Sequence, residues 1–158
     1  GVFKATNNVS PAVSMQGISN KPDYQIIETA RFCRQHKIEP QVNNPFFPVN
    51  TLKMMRGATY ARDKDFYTAY INAMYSAMWE QAQKMDEDDL IAAALDGAGL
   101  PTQEIIAGMS DPVVKQKLIE QTEASVARGT FGSPTLYVGD DIYFGKDKLR
   151  DAIEAAAS

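Results

Sequence analysis

Cys33, His36, the acidic run from Asp86 to Asp89 and the dipeptide Ser133-Pro134 are the residues whose types can do chemistry in this sequence. A thiolate is a nucleophile, an imidazole moves protons, and clustered carboxylates hold hard cations. Spacing removes the first three. Cys33 falls on an apolar helical stripe with Ile26, Ile27 and Ala30, which reads as an inert buried thiol. His36 stands near the end of the same stretch, where a cation is favoured by the helix dipole. The acidic run lacks the alternation of a calcium loop and reads as a solvated helix start. Ser133-Pro134 is different, because a proline cannot donate to a ladder and here directly precedes the β-rich run Thr135-Leu136-Tyr137-Val138, which puts it at a strand start. Two geometries remain open there. Spacing alone favours an ordinary turn proline; a cis bond would turn the Ser133 backbone outward and let its N–H and C=O pair with an extended peptide.

The chain that must position these residues has 158 residues, 44% hydrophobic, with 16 basic against 20 acidic side chains and a formal charge of −4. A compact chain of this size typically buries roughly 70% of the surface that its unfolded form exposes, so it can build a core without metals or disulfides. One Cys excludes an internal disulfide and a CxxC pair, and one His excludes paired-His chemistry. The acidic balance, without a Lys/Arg block, argues against a nucleic-acid partner. No apolar run approaches the roughly 18 to 20 residues of a membrane-spanning helix, and the N-terminus shows no secretory segment, which predicts a cytoplasmic protein or another reducing compartment. The opening Gly1-Val2-Phe3-Lys4, without a Met, reads as a fragment.

Periodicity predicts an α/β chain in three parts. Residues 1–21 are rich in Asn, Ser, Pro and Gly and read as a loop without regular structure. Helices follow over 23–37, closed by Pro40, and from 52 to about 64, separated by the Pro- and Asn-rich loop 39–51 that carries Phe46 and Phe47. Tyr67, Tyr70, Ile71, Met74, Tyr75 and Met78 predict one buried helix face. Asp88 or Asp89 caps a helix with Leu90, Ile91, Ala94 and Leu95, and Thr102 caps a short helix to about 107. Asp111-Pro112 opens a helix that turns Val114, Leu118 and Val126 inward and stops at Gly129. Gly139-Asp140 between Thr135–Val138 and Asp141–Phe144 predicts a hairpin, and a C-terminal helix begins near Asp147.

The segments FKATNN, NPFFPVNTLKMMRGA and FGSPTLYVGDDIYFGKDKL, in this order, resemble the 2-hydroxychromene-2-carboxylate isomerases and kappa-class glutathione transferases, members of the DsbA-like thioredoxin superfamily. The likeness spans essentially the whole chain. It implies a thioredoxin-like core whose ββα half is residues 111–158, a helical insertion over 22–110, and 1–21 as the loop leaving the opening βαβ half. That opening half, with its catalytic Ser or Cys motif, is expected upstream of Gly1, so the catalytic residue is unknown here. It is also the expected second neighbour of the 135–138 strand, since a lone hairpin is marginal in water.

Glutathione is the cofactor that the resemblance implies. Ser133 and Pro134 then present the backbone that pairs with its cysteinyl unit, and Asp147 matches the position that binds the γ-glutamyl amino group. Relatives often carry Ser or Gln in place of Lys146, which stands beside it. Asn8 and Lys21 match positions near glutathione, with Lys21 facing its anionic end, and read equally as solvated loop residues. Phe46, Phe47 and Asn50 border the second-substrate pocket by the same likeness, although an aromatic pair on such a loop also serves to plug the core beneath it. Arg56 offers a fork for a substrate carboxylate, or is a solvated helix residue. The implied activity is glutathione-dependent isomerisation of a small aromatic acid of the 2-hydroxychromene-2-carboxylate type, or kappa-class transfer, in a homodimer. A DsbA-type thiol-disulfide oxidoreductase and a non-catalytic thiol-binding module are the alternatives.

Overall fold

The computed structural model describes residues 1–15, 17–38 and 43–158, and the chain divides into two compact units, Met15–Leu118 and Gly1–Ser14 with Ile119–Ser158. The elements run α1 (Val2–Ala5), α2 (Pro11–Ser14), α3 (Lys21–His36), α4 (Leu52–Ala61), α5 (Tyr67–Trp79), α6 (Asp88–Gly97), α7 (Thr102–Ser110), α8 (Pro112–Ala127), β1 (Thr135–Val138), β2 (Asp141–Phe144) and α9 (Leu149–Ala156), with a 3-10 turn Lys146–Lys148 leading into α9.

The unit Met15–Leu118 is helical. Its core joins Met54 and Ala61 of α4, Tyr70, Met74, Ala77 and Met78 of α5, Ile91 and Leu95 of α6, and Ile105 and Met109 of α7, with Met85 from the intervening turn. Only part of the predicted α5 face is buried. Tyr70, Met74 and Met78 form an i, i+4, i+8 line against the core, whereas Tyr67 and Tyr75 sit on its flanks, Tyr75 being 64% exposed. Six large residues make a stripe wider than the contact, and the phenols at its margins keep their hydroxyls in water.

Helix α3 begins two residues earlier than predicted because Pro22 occupies its first turn, where a missing N–H costs nothing. It ends at Lys37, whose φ of 53° is left-handed and whose N–H returns to the Arg34 carbonyl. Pro40, the predicted stop, lies outside the described residues. Cys33 is buried as its stripe predicts, but Ile26 and Ile27 are 61% and 51% exposed.

Cap assignments divide. Asp111 does cap α8, its carboxylate accepting from the Val113 N–H at 2.8 Å. Asp88 and Asp89 lie inside α6, the cap position is Glu87, and no side chain caps it; Asp88 instead pairs with Lys53. Thr102 is the first residue of α7 rather than its cap, and its hydroxyl turns back to Asp96 and the Leu100 carbonyl. Between α4 and α7 the Tyr60 ring lies over Gly108, where a Cβ would sit 2.4 Å from the ring. The Tyr60 hydroxyl donates to Glu104 at 2.6 Å. That bond raises the tyrosine pKa and lowers the glutamate pKa.

In the other unit β1 and β2 form an antiparallel hairpin with Thr135 opposite Phe144 and Val138 opposite Asp141. Gly139 takes a φ of 57°, the left-handed conformation that a two-residue hairpin loop requires at its first position. Arg128 stabilises this turn, its guanidinium lying 4.0 Å from the Tyr137 ring centroid and donating to the Gly139 carbonyl at 2.7 Å. The ββα order matches the closing half of a thioredoxin-like core. Among the described residues the second edge of β1 has no strand partner.

Residues 1–14 are not the featureless loop that composition predicts. Val2–Ala5 and Pro11–Ser14 each make one helical turn. In the first, both the N–H and the hydroxyl of Thr6 donate to the Val2 carbonyl at 3.0 Å. Single turns leave no 3.6-residue apolar repeat, so periodicity does not reveal them.

Candidate functional site

The turn entering β1 is fixed from several directions. Buried Thr130 follows the end of α8, where its N–H donates to the Ser125 carbonyl at 3.1 Å and its hydroxyl joins those of Ser125 and Tyr137 at 2.8 and 2.7 Å. The Phe131 carbonyl accepts from Asn8 Nδ2 at 2.8 Å. The Gly132 carbonyl accepts from the Thr135 hydroxyl at 2.7 Å. The Pro134 carbonyl accepts from the Gly145 N–H at 3.0 Å, next to the start of the final helical segment. Ser133 is left between them. It is exposed, and among the described residues neither its N–H nor its C=O makes a hydrogen bond. The Ser133-Pro134 peptide bond is cis, which settles the alternative that spacing left open.

Beside this turn is a cavity of about 500 Å³ bordered by Phe3, Asn8, Phe131, Ser133 and Phe144, among others. The Phe131 and Phe144 rings meet at a centroid distance of 4.5 Å. Gly132 is buried under Phe144, and a Cβ there would lie 2.9 Å from the Phe144 ring, so only glycine fits without moving that ring. The arrangement offers one exposed donor, one exposed acceptor and an aromatic wall. A free donor and acceptor on one residue can pair with the main chain of an extended peptide.

Lys146 and Asp147 occupy the 3-10 turn ahead of α9, with Lys146 Nζ donating to Asp147 Oδ1 at 2.6 Å. The Asp147 side chain is largely exposed. Next to it the hydrogen bond from Lys148 to Asp151, at 2.7 Å, raises the Lys148 pKa.

The structure therefore gathers Asn8, Ser133, Pro134, Lys146 and Asp147 into one compact unit. The other sequence candidates belong to the helical unit. Lys21 is exposed as the first residue of α3. Phe46 and Phe47 are also exposed, Phe47 against Trp79 at 5.8 Å, and Asn50 Oδ1 accepts from the Leu52 N–H at 3.1 Å at the start of α4. Arg56, on α4, is half-buried.

Two features escaped the sequence. Asn44 is 3% exposed and anchors the loop ahead of Phe46, donating to the Met78 and Gln83 carbonyls at 2.9 and 2.8 Å while accepting from the Phe46 N–H. The Ser125–Thr130–Tyr137 hydroxyl chain was equally hidden, since its members are ordinary turn and strand residues until the fold joins them. Among the described residues no cluster of three or more His, Cys, Asp and Glu side chains could hold a metal, and no helix is long and apolar enough to cross a membrane.

The chain is 29% identical over 147 residues to 2-hydroxychromene-2-carboxylate isomerase of Pseudomonas putida, an alignment covering 92% of this chain and 69% of the relative. It is likewise 29% identical to the isomerase of that name from Pseudomonas sp. (strain C18), of which it spans 66%. It is 24% identical to glutathione S-transferase kappa 1 of Rattus norvegicus over 94% of this chain and 70% of that one. A solved structure of 2-hydroxychromene-2-carboxylate isomerase superposes with a TM-score of 0.81 at 28% identity, covering 99% of this chain and 74% of the other. Residues 1–155 match the family described as DSBA-like thioredoxin domain, and the chain belongs to that family.

Proposed function

We propose that this chain holds glutathione for an isomerase or transferase reaction on a small aromatic acid of the 2-hydroxychromene-2-carboxylate type. The observation that carries the reading is the open backbone of Ser133 in a turn where the carbonyls of Phe131, Gly132 and Pro134 are all engaged. A donor and an acceptor on one exposed residue match the main-chain N–H and C=O of the cysteinyl unit, as in the addition of a strand to an edge. Because the surrounding turn is tied down, little ordering is lost on binding.

Glutathione, when bound, supplies a thiol as the reacting group. The chain's own residues orient and enclose it. Ser133 and Pro134 fix the middle of the peptide, Asp147 accepts from the γ-glutamyl ammonium beside the helix N-terminus, and Lys146 sets the Asp147 carboxylate through its 2.6 Å contact. Lys21 is proposed to meet the anionic end of the peptide, and Phe46, Phe47, Asn50 and Arg56 to contact the second substrate. For these helical-unit residues the support is the resemblance, together with the exposure of Lys21, Phe46, Phe47 and Asn50.

Two substitutions test the assignment. Asp147→Ala is expected to raise the glutathione dissociation constant about two- to fivefold by calorimetry, the scale of one exposed ion pair. Unchanged affinity would remove Asp147 from the site. Lys21→Met is expected to weaken binding by a similar factor at low salt and by less at high salt; a salt-independent or absent effect would rule out the charge contact.

A further inference from the structure

We propose that Thr135 is a positioning residue whose hydroxyl holds the Ser133 N–H outward, toward the bound peptide, by anchoring the Gly132 carbonyl. The inference rests on Ser133 being the docking point. The Gly132 C=O and the Ser133 N–H belong to one planar peptide group, and in a trans group the two point in opposite directions. The group between Gly132 and Ser133 is trans, unlike the one that follows it. Its carbonyl accepts from Thr135 Oγ1 at 2.7 Å, three residues on. That bond draws the carbonyl toward β1. The N–H must then face away, on an exposed residue where no hydrogen bond among the described residues meets it.

The anchor comes from the more rigid side of the turn. Thr135 is the first residue of β1 and is paired with Phe144 across the hairpin. Its β-branched side chain is restricted at χ1, so a fixed backbone delivers the hydroxyl to one place. On the other side of the peptide group stands a glycine, whose backbone turns at little steric cost. Glycine is required there, since a Cβ would lie 2.9 Å from the Phe144 ring. The residue that lets the chain pass under Phe144 is therefore the one least able to hold its own peptide plane. The Asn8 bond to the Phe131 carbonyl acts on the preceding peptide group and does not hold this one. Turned over, the ledge would present two carbonyl oxygens and no donor, and could no longer pair with both main-chain groups of an extended peptide. One hydroxyl–carbonyl bond corresponds to about a two- to tenfold bias between the two orientations.

Thr135→Val removes the hydroxyl with little change of shape, and Thr135→Ser keeps it. In the protein without glutathione, NMR follows the Gly132 carbonyl carbon and the Ser133 amide nitrogen, the two ends of the anchored group. The Phe131 carbonyl carbon, held by Asn8, is the control, and calorimetry measures glutathione affinity. In Thr135→Val the Gly132 and Ser133 resonances are expected to shift while Phe131 and the melting temperature change little, with about a two- to tenfold loss of affinity. Thr135→Ser is expected to keep resonances and affinity near those of the unsubstituted protein. Affinity lost with both resonances unmoved, resonances moved with affinity intact, no change in either, or a serine variant as impaired as the valine one would each overturn the proposal. If the unsubstituted protein binds no glutathione, the reading of the ligand fails by itself. The free-protein resonances then decide whether Thr135 sets the peptide group: shifts in Thr135→Val but not in Thr135→Ser support it, and their absence refutes it.

Discussion

Leu95→Ala is expected to cost about 2–5 kcal/mol of stability, the range for truncating a fully buried leucine. At roughly 2–4 °C per kcal/mol for a chain of this length, the melting temperature falls by about 4–20 °C. Leu95 is 0% exposed and stands on α6 one turn after Ile91, within the cluster that also contains Ile105, Met109 and the methionines of α5. Helices α4 to α7 meet through this cluster, so the cavity cannot be closed by moving one element without parting another from its neighbour. Several methionines line the cluster and their flexible side chains can fill part of the gap, which favours the lower half of the range. Ile27→Ala, on an exposed helix position, should change stability by well under 1 kcal/mol. Thermal and urea unfolding of both variants check the pair; equal losses would mean that the core has been assigned to the wrong residues.

Gly57→Ala should be destabilising although helix propensity alone predicts a gain of about 0.8–1.0 kcal/mol. A Cβ at Gly57 would lie 2.2 Å from the Tyr70 hydroxyl oxygen and 2.6 Å from Met109 Cε. Met109 can swing aside. Tyr70 cannot do so cheaply, because it is buried and its hydroxyl donates to the Met54 carbonyl at 2.7 Å. The same burial raises the phenol pKa, so the neutral donor is the form present at any ordinary pH. Overpacking costs about 1–3 kcal/mol and displacing the hydroxyl from its buried acceptor about 1–3 more. Together these exceed the propensity gain. The expected net loss of about 1–5 kcal/mol is read from unfolding curves, and measured in a Tyr70→Phe background it should shrink, because the nearest clashing atom is gone while Cζ, 2.7 Å away, remains. A stabilised Gly57→Ala would contradict the close approach of α4 and α5.

What could be read from the sequence depended on how local its cause was. The hairpin was legible because Gly139-Asp140 and the two β-rich runs carry their own turn chemistry, and both strands occupy the residues expected. The Asp111 cap was legible for the same reason. Burial around a helix was not, since which side of Tyr67, Tyr75, Ile26 and Ile27 meets another element is decided by distant packing. Caps at Asp88 and Thr102 failed where a stronger tertiary partner, Lys53 or Asp96, took the side chain. At the candidate site the Ser133-Pro134 turn was visible through its proline. Its supports, Asn8 to Phe131 and Thr130 to Tyr137, join residues whose meeting no spacing rule anticipates.

On the proposed reading, the main chain at Ser133 is where the sulfur-bearing residue of glutathione docks. A crystal structure of the protein grown with glutathione measures this directly. The expected result is two hydrogen bonds of about 2.7–3.2 Å between the cysteinyl main chain and the Ser133 N–H and C=O, with the γ-glutamyl ammonium at Asp147. Glutathione bound elsewhere, with the Ser133 backbone still facing solvent, would contradict it.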